Sequence, residues 1–168
     1  MRVANWLPTG RSGAWEVRRK AGAPDVTELV EHVDGGELLW MDDADTELAA
    51  HREILAASRG DVLLLGLGIG FLPAMLATRE DVTSITIVEK SFDVMSLVWG
   101  RLGNHVRERG KEIRCIWADA ETWQPGGERY DVAWIDHVLE PIQGERRETW
   151  LAKARGWADV VLAWRGAI

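Results

Sequence analysis

The sequence predicts an α/β fold built on a mostly parallel sheet, with a small amino-terminal extension ahead of it. Three observations predict it. Short apolar runs with strand character recur at 62–65, 83–88, 113–117, 130–135 and 160–164. Helical periodicity fills three of the four intervals between them. The first four runs each end at or just before a glycine or a carboxylate, namely Gly66, Glu89, Asp119 and Asp136. That pattern gathers the polar chemistry at one end of the sheet, where open α/β sheets bind their ligands.

Taken in order, residues 1–44 form the extension and 45–168 the main domain. Pro8, Gly10 and Gly13 oppose a helix at the start. Segments 14–18 and 37–41 read as short strands of a hairpin or lid. A helix follows from Asp45 or Thr46 to about residue 58, with Glu47 in its first turn, where a carboxylate meets free amides. Gly60 and Asp61 end it, and 62–65 is a buried strand. The helix at 72–79 accommodates Pro73 in its first turn. After the strand at 83–88, Phe92, Met95, Trp99, Leu102 and Val106 recur at helical spacing until Gly110. Between the third and fourth strands, Pro125, Gly126 and Gly127 predict a turn in place of a crossover helix. A last helix at 146–156 precedes the fifth strand.

Composition narrows the function classes. The chain has 168 residues and a formal net charge of -7, so one domain of ordinary size is expected. The acidic balance argues against nucleic-acid partners and against a basic membrane-surface patch. The most apolar stretch, 62–76, is interrupted by glycines and a proline and is too short for a membrane span. With no signal-peptide pattern at the amino terminus, a cytoplasmic protein is expected. Cys115 is the single cysteine, which excludes an internal disulfide and a multi-cysteine zinc site. It reads as a small buried side chain in an apolar strand. Glu28, Glu31 and His32 lack a second histidine at metal-ligand spacing, so no metal is expected. Ten acidic residues lie between 25 and 53 against Arg52 alone, which suggests an acidic wall near a site for a cationic substrate.

The strongest site signal is the strand running into Gly66, Gly68 and Gly70, followed 23 residues after Gly66 by Glu89. Such a turn lets backbone approach a ligand, and a carboxylate at the second strand end can accept ribose hydroxyls. Phe71 stands where a dinucleotide fingerprint wants its third glycine, and no Gly-Lys-Ser or Gly-Lys-Thr follows. This spacing resembles the first motif of class I S-adenosylmethionine-dependent methyltransferases. Glu89 looks like their acidic residue at the second strand end, and Asp119 with Ala120 like their pair beside the adenine. The resemblance covers about residues 60–164 and implies a Rossmann-like fold with strand order 3-2-1-4-5. It implies S-adenosylmethionine as cofactor, bound by Gly66, Gly68, Gly70, Glu89, Asp119 and Ala120. Leu64 departs from it, because many members carry an acidic residue there.

Within that superfamily the sequence is similar to the spermidine synthase, or aminopropyltransferase, branch and its phage-type relatives. Asp45, Glu47, His51 and Glu53 resemble their pattern ahead of the glycine strand. Asp136, Glu140, Pro141 and Gly144 resemble their catalytic loop, although an Asp is usual where Glu140 stands. Asp136 is the first candidate to hold or deprotonate an acceptor amine, with His137 and Glu140 next. The expected activity is a transferase, a methyltransferase first, on a small or peptide acceptor, and an acidic mouth would favour a cationic or amine-bearing one. Aminopropyl transfer from decarboxylated S-adenosylmethionine is the first alternative. A non-catalytic nucleoside-binding structural or regulatory protein is the second. Trp117 is expected in the core, and Trp123 against the core or over the adenine. His51 is expected on a helix face packed under the site. Trp150, Ala154 and Trp157 share a helical stripe that suggests a homodimer contact.

Overall fold

The computed structural model describes residues 2–137 and 144–164. Glu140 and Pro141 lie outside the described residues. The first 42 residues hold a short 3-10 turn, Val3–Asn5, and four strands: β1 (Gly10–Ser12), β2 (Trp15–Lys20), β3 (Ala23–Val33) and β4 (Gly36–Asp42). They pair antiparallel in sequence order. The hairpin or lid expected from the sequence is thus a four-stranded sheet. Its longest strand, β3, gives no strong sequence signal because Pro24, Asp25, Glu28 and Glu31 interrupt the apolar pattern. Pairing on both sides holds it in place. Register puts Val17, Leu29 and Met41 in one row. Val17 and Leu29 are buried in the main core, and Met41 packs against it.

The helix expected over 45–58 is two: α1 (Asp45–Ala50) and α2 (Arg52–Ala57), broken at His51. His51 adopts φ -91° and ψ 4°, outside helical geometry. Its ring is buried, with Nδ1 2.8 Å from the Glu47 carbonyl oxygen.

The second sheet is wholly parallel. Its strands are β5 (Gly60–Leu65), β6 (Val82–Glu89), β7 (Glu112–Trp117), β8 (Tyr130–Ile135) and β9 (Ala158–Ala163). The order β7-β6-β5-β8-β9 matches the expected 3-2-1-4-5 and is that of a Rossmann-like sheet. Strand order reverses between β5 and β8, which opens a crevice above their carboxyl ends.

Alternation along the central strands builds two cores. Val62, Leu64, Ile85 and Ile87 face α3 (Phe71–Leu76), α4 (Phe92–Arg107) and the antiparallel sheet. Leu63, Leu65, Ala133 and Ile135 face α5 (Gly144–Ala154). Each fully buried aliphatic side chain here contributes roughly 1.5–3 kcal/mol. Residues 118–129 hold no helix, as Pro125, Gly126 and Gly127 predicted. A polar cover takes its place. Arg114 pairs with Glu128 and donates to Thr86 Oγ1 at 2.9 Å and to the Tyr130 hydroxyl at 3.0 Å.

Three side-chain expectations change or sharpen. Trp117 is 65% exposed, not core: it ends edge strand β7, leans on Phe92 and donates to the Lys90 carbonyl. Trp123 packs edge-on against Trp157 and belongs to the second core. Trp150, Ala154 and Trp157 are buried against this chain's own sheet. The homodimer expectation therefore loses the stripe on which it rested. Burial pushes the Cys115 thiol up to about 12, which leaves it a poor nucleophile. Among the described residues no helix is long and apolar enough to cross a membrane.

Candidate functional site

The glycine turn sits where β5 meets the crevice. Gly66 has φ +112°, and a Cβ there would lie 2.2 Å from the Asp136 carbonyl oxygen. Only glycine lets β5 turn this close to the end of β8. Gly68 has φ +53°, and a Cβ there would meet Met41 Sδ at 2.1 Å. Met41 comes from β4, and its sulfur lies 3.3 Å from Ile69 N. Gly70 faces elsewhere: it starts α3 and packs toward Trp6, Val98 and Leu102. Gly66→Ala is expected to destabilise the fold by roughly 1–3 kcal/mol from the backbone conformation, with the carbonyl clash added. A lower denaturation midpoint at unchanged slope would check this. An unchanged midpoint would mean that the turn relaxes freely.

Glu89, the last residue of β6, reaches across to this turn. Its Oε2 accepts the Leu67 N–H at 2.9 Å, and its Oε1 accepts the Ser91 N–H at 2.7 Å. Burial raises its pKa, and these amide contacts oppose the rise. A carboxylate offers about four acceptor sites, so capacity remains for a ligand beside these amides. Asp119 follows β7 and lines the same cavity; its Oδ1 accepts the Glu121 N–H at 2.9 Å. Ala120 beside it is buried and also lines the cavity.

Across the crevice, Asp136 follows β8. Trp134 Nε1 donates to its Oδ2 at 3.2 Å, and His51 Nε2 lies 3.6 Å from the same oxygen. Glu47 Oε1 is 3.6 Å from His51 Nδ1. Burial pushes the Glu47 carboxyl up to about 7. His137 also lines the cavity, but its Nε2 faces Glu121 Oε1 at 3.2 Å and its ring stands edge-on to Trp150. Burial lowers its pKa. Its Nδ1 is buried without a hydrogen-bond partner among the described residues, as is Trp164 Nε1, on another residue of the cavity wall.

The structure therefore brings Gly66, Gly68, Glu89, Asp119, Ala120, Asp136 and His137 to one cavity. The acidic wall expected between 25 and 53 is largely spent elsewhere, as its part from 42 onward shows. Asp42 pairs with Lys20, Asp43 accepts the Val3 and Thr27 N–H groups, and Asp45 pairs with Arg2. Of that stretch, Glu47 and His51 line the cavity. Sequence reading missed the wall supplied by the antiparallel sheet, which is Trp15, Leu29, Trp40 and Met41. The apolar side chains of β2 and β4 were the available signal, but nothing in them shows where the sheet docks. It also missed a grouping of Glu16, His32 and Glu37 on the antiparallel sheet, where His32 lies within 3.4 Å of both carboxylates.

No family model matches the chain, and no curated protein matches it. Solved structures do. Spermidine synthase from Thermotoga maritima is 19% identical with a TM-score of 0.44, over 76% of this chain and 45% of that one. TYW2 of M. jannaschii in complex with AdoMet is 13% identical with a TM-score of 0.48, over 88% and 60%. A protein-L-isoaspartate O-methyltransferase is 23% identical with a TM-score of 0.45, over 73% and 37%. The chain spans less than two thirds of the length of each. At these scores the fold assignment rests on the strand order itself.

Proposed function

We propose that this chain is an S-adenosylmethionine-dependent transferase, a methyltransferase in the first instance, acting on a small or peptide acceptor that bears an amine. One observation carries the reading. Four carboxylates, Glu47, Glu89, Asp119 and Asp136, line the cavity at the glycine turn, with Lys90 as the one lysine or arginine among the residues lining it. Such a field favours a sulfonium cation and disfavours a pyrophosphate. The turn itself points the same way. Glu89 occupies the Leu67 N–H and Met41 Sδ sits against that of Ile69, so neither is presented to a phosphate. A dinucleotide needs those amides free.

In this reading Gly66, Gly68, Glu89, Asp119 and Ala120 hold the nucleoside, and the remaining acceptor capacity of Glu89 takes the ribose hydroxyls. Gly70 acts through the start of α3. Asp136 faces the reacting carbon, with His137 at the margin. Bound S-adenosylmethionine would supply an electrophilic carbon on sulfur, and the residues here align the acceptor against it. The same acidity supports aminopropyl transfer as a second reading, because decarboxylated S-adenosylmethionine brings no carboxylate into a cavity of carboxylates.

Calorimetry with S-adenosylmethionine, its decarboxylated form and NAD tests this. The expected result is binding of one sulfonium compound and little response to NAD. Tight NAD binding without response to either sulfonium would sink the assignment. Label transfer to polyamines, amino-terminal peptides and a cell extract then separates enzyme from binder. Cofactor binding without transfer to any of them would favour a regulatory or structural role.

A further inference from the structure

The buried His51 is unused by the cofactor site as described, yet its geometry is specific. The break between α1 and α2 turns its ring inward, leaving 2% of the side chain exposed. Nδ1 lies 2.8 Å from the Glu47 carbonyl oxygen, which accepts only a proton-bearing nitrogen. That contact assigns the hydrogen of the neutral ring to Nδ1 and leaves the Nε2 lone pair facing Asp136 Oδ2, 3.6 Å away. Catalytic contacts of this length often tighten when substrate binds. Phe71, in a T-shaped arrangement, and the tilted indole of Trp134 pack around the ring.

We propose that the proton leaving the acceptor passes from Asp136 to His51 Nε2, with Glu47 steadying the imidazole and balancing the charge it gains. The inference rests on the transferase reading above. The acceptor nitrogen's lone pair forms a bond to the sulfonium carbon, the carbon–sulfur bond breaks, and its electron pair stays on sulfur. The nitrogen then gives one proton to the Asp136 carboxylate. Asp136 passes it to Nε2, which regenerates the carboxylate beside an imidazolium, and the ring, on the cavity wall, gives the proton up to water once product has left. His51 never touches the acceptor, so it is a positioning and relay residue.

The charged groups facing this ring support the path. Glu47 comes from α1 and Asp136 from the end of β8, and Asp42 of β4 acts on Glu47 in turn. Burial pulls the imidazole pKa down, but Asp136 and Glu47 outweigh it, so His51 titrates above its ordinary value. The relay therefore runs from the neutral ring, at pH above this raised value, where Nε2 carries its lone pair.

Imidazole NMR of the intact chain, titrated from about pH 5 to 9, tests the connection without turnover. The His51 resonance is assigned by its loss in His51→Gln. It is expected to titrate above the ordinary histidine range in the wild type and to move down in both Asp136→Asn and Glu47→Gln. An unchanged titration in Asp136→Asn overturns the relay whatever the activity. In label-transfer assays His51→Gln is expected to lower kcat by about 100-fold with KM little changed, and to displace the pH–rate profile. Retained kcat with an unchanged profile overturns the relay and leaves the transferase reading standing. Coupled titration with no transfer to any acceptor overturns the transferase reading, and the relay with it. Should His51→Gln fail to fold, the His51 resonance is assigned by its contacts to Phe71 and Trp134. A displaced pH–rate profile in Glu47→Gln then supports the relay, and an unchanged one overturns it.

Discussion

Replacing Asp136 with Asn is expected to reduce transfer by about 10³-fold while leaving cofactor affinity within a few-fold of wild type. The substitution keeps the size of the side chain and an oxygen able to accept from Trp134 Nε1. It removes the negative charge that would receive the acceptor's proton and the partner that His51 faces at 3.6 Å. Asp136 stands across the crevice from Glu89 and Asp119, on the strand neighbouring β5, so the nucleoside contacts remain. Steady-state transfer beside calorimetry separates the two effects. Robust transfer by the variant would remove Asp136 from the mechanism. Loss of cofactor binding together with transfer would place it in the cofactor site instead.

Glu89→Ala is expected to weaken cofactor binding by about 1.5–3 kcal/mol, through the loss of charge-assisted bonds to the ribose. It also strips the Leu67 and Ser91 N–H groups of their acceptor, so the turn loosens even in the absence of ligand. Glu89→Gln separates the two roles, because its single carbonyl oxygen can serve one of those amides. Unchanged affinity in Glu89→Ala would place the ribose elsewhere. A pH effect accompanies this. Burial raises the Glu89 pKa in the folded chain, so its protonated form is favoured by folding. That stability is complete below the ordinary carboxylate range and is lost as pH rises through the folded value. Glu89→Gln is expected to remove this part of the pH dependence, read from denaturation midpoints across acidic pH.

Local sequence determined the parallel sheet and one half of its crevice. The strand at 130–135 coincides with β8, and the others agree within two residues, because short apolar runs buried on both faces have few alternatives. Gly66, Gly68, Glu89, Asp119 and Asp136 were legible for a related reason. Positive backbone angles require glycine, and carboxylates at consecutive strand ends fall at one edge of any such sheet. The opposite half was decided by tertiary structure alone. Nothing in the polar β3 shows that it pairs on both sides. Nothing in the apolar residues of β2 and β4 shows that Trp15, Trp40 and Met41 will close over the glycine turn. The acidic stretch misled for the same reason. Asp42, Asp43 and Asp45 carry equal formal charge with Glu47, and long-range partners in the antiparallel sheet and its leading segment engage the first three, Lys20 and Arg2 for Asp42 and Asp45 and backbone amides for Asp43. Trp117 and Trp150 are one residue type with opposite fates, 65% and 4% exposed, because one ends an edge strand and the other sits on the face of α5 turned toward the sheet. Backbone conformation is encoded within a few residues, whereas which surface covers which is set by contacts distant in sequence.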